Sequence, residues 1–161
     1  MLKKKKRRKL KEEKLEEPPK EIQTEKPVNA SSDNLAEQIK EASDGLSYSS
    51  EIDAGISVFI GKQAASVNKE TLLVQIKGAA DLPIKEIDFA GFFVRLTEIQ
   101  DWFGDEETKT ANKFVRLKEI LERNLRDLKV FKVGKTQLDV YVVGLEAENV
   151  LMGVKTEAVE T

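Results

Sequence analysis

The stretch that decides the fold is Val130-Phe131-Lys132-Val133-Gly134-Lys135-Thr136-Gln137-Leu138-Asp139-Val140-Tyr141-Val142-Val143-Gly144. Val130 to Val133 reads as a strand, and Gly134-Lys135 as a tight turn. From Gln137 to Val143, Leu138, Val140 and Val142 alternate with Gln137, Asp139 and Tyr141, which is the two-residue period of a strand. Beyond a looser turn at Gly144 to Asn149, residues 150–158 supply a third strand. Short connections of this kind make hairpins, so the sheet is expected to be largely antiparallel and covered by helices.

Upstream, a long helix is predicted after Gly104, with Phe114, Leu117, Leu121, Leu125 and Leu128 on its apolar face. Asp105, Glu106 and Glu107 fall in its first turn, where the helix dipole favours negative charge. Asp88 can cap a shorter helix carrying Phe89, Phe92, Phe93 and Leu96. The run Thr71-Leu-Leu-Val-Gln-Ile-Lys77 reads as a buried strand, and Ile56, Val58 and Ile60 place another at 56–62. A first helix is expected from Ser32-Asp33-Asn34, with Leu35, Ile39 and Ala42 on one face and a stop at Asp44-Gly45. The predicted order is helix, two strands, two helices, three strands, an α+β fold.

The 161 residues allow one domain, 32–161, preceded by a basic tail at 1–31. Residues 1–20 carry ten Lys and Arg against four Glu, a net of +6, whereas the rest of the chain carries a net of -8. The run Lys3 to Lys9 has no apolar segment after it, so it does not read as a signal peptide. With Pro18, Pro19 and Pro27 and little to bury, residues 1–31 are expected to be disordered. Such a tail suits a solvated extension, a weak nucleic-acid contact by residues 1–20, or nuclear import. No export signal or membrane-spanning run is visible, so the expected location is cytoplasmic, or nuclear in a cell with a nucleus.

The chain contains neither cysteine nor histidine. That removes disulfides, thiolate zinc sites, cysteine nucleophiles, serine–histidine triads and histidine-ligated metal centres. No glycine-rich phosphate loop or calcium loop is present. Catalysis is disfavoured, and no catalytic residue, cofactor or small-molecule substrate is assigned.

Four stretches carry a resemblance. They are Ala42-Ser43-Asp44-Gly45-Leu46, Gln100-Asp101-Trp102, Gln137-Leu138-Asp139-Val140-Tyr141-Val142-Val143-Gly144, and the closing Val159-Glu160-Thr161. Together, and in this order, they resemble the nuclease A inhibitor family, proteins that block a sugar-non-specific DNA/RNA nuclease. The match runs from about Leu35 to Thr161. It implies a three-layer α/β/α sandwich like that of the pathogenesis-related-1 proteins, with a mostly antiparallel central sheet and no catalytic activity. It further implies that the chain binds the nuclease about one to one and plugs its active site. In that role Thr161 would reach the magnesium bound in the nuclease, Glu51 would meet the cationic groups around it, and Gln100, Asp101 and Trp102 would add contacts.

The chemistry is coherent. Magnesium prefers hard oxygen ligands, and a terminal threonine offers a carboxylate and a hydroxyl with no bond for the enzyme to cut. Net negative charge steers such a domain toward a phosphate-binding cleft. Where relatives carry an aromatic-proline-aromatic stretch after the glutamate, this chain has Ile52-Asp53-Ala54-Gly55-Ile56. The expectation is a looser loop, in which Asp53 could substitute for Glu51. The rival expectation is an acidic protein-binding module of the same fold that does not inhibit and is directed to nucleic acid or nucleus by its tail.

Overall fold

The structure, a computed structural model, describes residues 27–76 and 81–161, with side chains from residue 33 onward. The expectation of disorder over the start of the chain therefore lies largely outside the described residues. The sheet, the cores and the candidate site lie in one compact unit, Asn34–Thr161.

The elements run α1 (Pro27–Ser43), β1 (Ser47–Ser49), β2 (Asp53–Gly55), β3 (Ser57–Gln63), α2 (Lys69–Gln75), β4 (Ile84–Ile87), α3 (Phe89–Thr97), α4 (Asp105–Asn124), β5 (Arg126–Gly134), β6 (Gln137–Leu145) and β7 (Val150–Val159). Helix α1 begins five residues before Ser32. Proline suits a first helical turn, where its missing N–H has no intrahelical partner to lose, so Pro27 opens the helix rather than blocking it.

Strands β3, β7, β6, β5 and β4 form one sheet in that order, every neighbouring pair antiparallel. The fold is thus α+β with an antiparallel sheet, as the hairpin readings required. β1 and β2 form a separate two-stranded ribbon. Register places Val58, Val154, Val142, Val130 and Ile87 in one row across all five strands of the large sheet. That row faces a core to which α1 gives Ile39, α3 gives Phe93 and α4 gives Phe114, Leu117 and Leu121. The alternate residues, among them Phe131, Val133, Tyr141, Val143 and Leu151, face the other way and pack with Leu72 of α2. Both faces of β5, β6 and β7 are therefore covered.

Helix α4 forms as its sequence dictates. Its buried residues recur at three- and four-residue spacing, and the Glu107 carboxylate accepts the Gly104 N–H at 2.9 Å. The helix ends at Asn124, so two residues of the expected apolar face lie beyond it. Leu125 is the C-cap and Leu128 belongs to β5, although both still pack on the same core. In α3 the Asp88 carboxylate accepts the Gly91 N–H at 2.8 Å.

The strand expected at 71–77 is instead α2. The side chain of Asn68 accepts the Thr71 N–H at 2.8 Å and nucleates a helical turn, and Glu70 sits in that turn. Only Leu72 is fully buried, while Val74 is 80% exposed, so the run is not the buried strand its composition suggested. At the end of α2 the Gln75 amide reaches the backbone of Lys62 in the outer strand β3. It accepts the Lys62 N–H at 2.7 Å and donates to the Lys62 carbonyl at 3.2 Å.

Gly134 closes the β5–β6 hairpin at φ +123°, a left-handed region favouring glycine, and a Cβ there would lie 2.3 Å from the Gln137 carbonyl oxygen. No described helix is long and apolar enough to cross a membrane.

Candidate protein-binding site

β1 and β2 exist because Ser47, Tyr48 and Ser49 pair with Gly55, Ala54 and Asp53. The stretch expected to be loose is therefore a hairpin whose turn carries Ser50, Glu51 and Ile52. Asp53 is not a spare acid in that hairpin, since its carboxylate accepts the Ser49 hydroxyl at 2.7 Å. Tyr48 stacks on Phe92 of α3 with ring centroids 5.4 Å apart, which fixes the ribbon to the helical layer.

The turn meets the end of β7. Glu51 N–H donates to the Val159 carbonyl at 3.2 Å, and Val159 N–H donates to the Ser50 hydroxyl at 3.0 Å. On the opposite side Glu160 N–H donates to the Thr136 carbonyl at 2.9 Å. Lys132 of β5 pairs with the Glu160 carboxylate at 2.5 Å. Thr161 then donates both its N–H, at 2.7 Å, and its hydroxyl, at 2.8 Å, to Oε2 of Glu51. These two bonds, the hydroxyl first and then the amide, hold the Glu51 carboxyl below its usual range. Both residues are exposed to solvent, so their remaining polar groups are available to a partner.

Gln100, Asp101 and Trp102 lie in the link between α3 and α4, and all are exposed. Trp102 is 73% exposed and stands edge-on to Phe103, with ring centroids 4.7 Å apart. Trp102 and Phe103 help line an open groove of about 490 Å³ whose other walls include Ser47, Ser49, Arg95 and Glu106. β1 thus borders the Trp102 groove and leads two residues later to Glu51. Glu51 and Thr161 are in direct contact; among the described residues no hydrogen bond joins Gln100, Asp101 or Trp102 to them, and Trp102 shares a groove with Ser47 and Ser49 of β1. Among the described residues, no group of three or more carboxylates stands close enough to hold a metal ion.

A model of the nuclease A inhibitor-like proteins matches residues 33–161. The chain belongs to this family. A search of the curated proteins found no match. The family is one of nuclease inhibitors, and the matched region covers every element from which the contacts above are built. Within this family domain, the residues that sequence reasoning left unremarked are Ser50, Thr136 and Lys132. A serine at position 50 signals nothing in the sequence until β7 is seen to end against it. Lys132 read only as a residue of a strand.

Proposed function

We propose that the chain inhibits a metal-dependent, sugar-non-specific endonuclease by occluding its active site with Thr161 and Glu51. The observation that carries this reading is the pair of hydrogen bonds from Thr161 to Glu51, which gathers a chain-end threonine and a carboxylate at one exposed point. An exposed carboxylate beside a terminal carboxylate and hydroxyl is an array of hard oxygens. It suits a cleft built from a divalent metal and cationic side chains that normally hold phosphate. Oε2 is occupied by Thr161, whereas Oε1 has no hydrogen-bond partner among the described residues and is the oxygen offered to a cation of the nuclease. Trp102, a large aromatic in solvent beside Gln100 and Asp101, is the type of residue that anchors an interface, and its groove is lined by Ser47 and Ser49 of the strand that leads to Glu51. The complex is one to one, and the magnesium contacted is the nuclease's own.

The helices lying on opposite faces of the large sheet support a three-layer α/β/α reading of pathogenesis-related-1 type.

The test is a titration of the chain, with its C-terminus untagged, into a magnesium-dependent, sugar-non-specific nuclease, followed by plasmid cleavage. Stoichiometric inhibition, weakened by deleting Thr161, is expected. Inhibition that the deletion leaves unchanged would refute the plug. A folded chain that does not inhibit would favour the non-inhibitory binding module.

A further inference from the structure

The backbone N–H groups of the last three residues are all committed, and to alternating sides. Val159 donates to the Ser50 hydroxyl, Glu160 to the Thr136 carbonyl, and Thr161 to the Glu51 carboxylate. Beyond the register pair Gln137 and Val159 the main sheet gives no further partner. Past that point the chain is carried by two loops, the 50–52 turn and the 135–136 connection. A chain end without such support frays, because a few backbone bonds rarely offset the entropy of ordering it.

Two side chains make the difference. Ser50 is the hub of the 50–52 turn. Its hydroxyl accepts Val159 N–H at 3.0 Å and donates to the Ile52 carbonyl at 3.3 Å. The same oxygen therefore shapes the turn that aims Glu51 and grips the strand that delivers Thr161. Lys132 reaches across from β5 to Glu160 at 2.5 Å, and its side chain is only 16% exposed. The covered stem of Lys132 fixes where its ammonium stands, and the pair holds Glu160 on the Thr136 side.

We infer that Ser50 and Lys132 are positioning residues of the inhibitory end: they preorganise Val159-Glu160-Thr161 so that Thr161 and Glu51 are presented together before the nuclease arrives. Neither is required to touch the nuclease. Preorganisation removes an ordering cost from binding, so their loss is read in inhibition rather than in the fold. This inference rests on the plug reading above.

The experiment compares unmodified chain, Ser50→Ala and Ser50→Thr, each with and without Thr161, in the plasmid-cleavage titration, alongside amide hydrogen exchange of residues 159–161. Ser50→Ala should raise the inhibition constant about three- to tenfold, the scale of one net hydrogen bond. It should also speed exchange at Val159 and Thr161 while leaving the thermal midpoint in place. Ser50→Thr, which keeps the hydroxyl, should restore inhibition to within about twofold. In the Thr161-deleted chain Ser50→Ala should cost clearly less than in the full chain, because only its hold on the Glu51 turn is left to lose. Lys132→Gln should repeat the loss and Lys132→Arg should not. Unmodified chain that inhibits, with Ser50→Ala and Lys132→Gln equal to it, overturns the inference alone. An equal loss on Ser50→Ala with Thr161 already removed also overturns it, since Ser50 would then act without the chain end it is inferred to position. Unmodified chain that fails to inhibit overturns the functional reading, and the inference with it.

Discussion

Oε2 of Glu51 accepts both the N–H and the hydroxyl of Thr161, two residues separated by 110 positions in the chain. The contact closes a loop from the turn after β1 to the end of β7, and its strength depends on protonation. Bonds from Thr161 favour the ionised carboxylate, so the Glu51 pKa in the fold lies below its unfolded value. Stability from such a group is fully present above the unfolded pKa and is lost as pH falls through the folded pKa. We therefore expect the Glu51 side-chain carboxyl carbon resonance to titrate with a midpoint below the ordinary glutamate value. A midpoint at the ordinary glutamate value would show that the contact does not persist in solution.

Trp102 should separate binding from stability. Because the indole is 73% exposed, Trp102→Ala should change unfolding free energy by less than about 0.5 kcal/mol. The same substitution should weaken nuclease inhibition by about 2 kcal/mol or more, the scale of an aromatic interface anchor. Denaturant unfolding and a nuclease titration of the same sample decide the matter, and unchanged inhibition would remove Trp102 from the interface.

Gly153 sits in β7 opposite Val143, between β3 and β6. A Cβ placed on it would fall 1.8 Å from the Val142 carbonyl oxygen, a backbone atom that cannot swing away. Gly153→Ala should cost about 2–4 kcal/mol of stability, measured by urea unfolding. By contrast Gly55 has open space around its Cβ direction, and Gly55→Ala should lie within about 0.5 kcal/mol of the unmodified chain.

Asn68→Ala tests what makes α2 a helix. Removing the cap should destabilise the domain by about 1 kcal/mol, with faster amide exchange confined first to residues 69–75. A substitution without effect would mean that packing of Leu72 alone selects the helix.

Periodicity explains why some elements were legible and others not. Helix α4 could be read because Phe114, Leu117 and Leu121 repeat at helical spacing behind an acidic first turn. Strands β6 and β7 could be read because each alternates between two cores, a pattern only a two-residue period satisfies. The run Leu72-Leu73-Val74 has no period, so its length and composition suggested a strand, while the residue that decides for a helix, Asn68, lies outside the run. β4 went unread because its exposed Lys85 and Glu86 follow Pro83 and look like connection; pairing with Val130 to Val133 of β5 makes it a strand. β1 and β2 were invisible for a related reason, since Ser47, Ser49 and Asp53 give no apolar alternation.

The site divides along the same line. Glu51, Trp102 and Thr161 were named from resemblance, and no local pattern in the sequence indicates that the first and last would meet. Ser50 and Lys132 have ordinary neighbours in the sequence and gain significance only from where β7 ends.

The amide of Gln75 has one more consequence. β3 is an outer strand, and an outer strand left bare is a template on which a second chain can add a strand of its own and begin a polymer. By taking both the N–H and the carbonyl of Lys62, Gln75 occupies the hydrogen-bonding slot that an incoming backbone would need. An intruding chain must first evict a side chain already seated there. At that edge of the sheet, strand addition by a second copy therefore has to break two hydrogen bonds before it can make any.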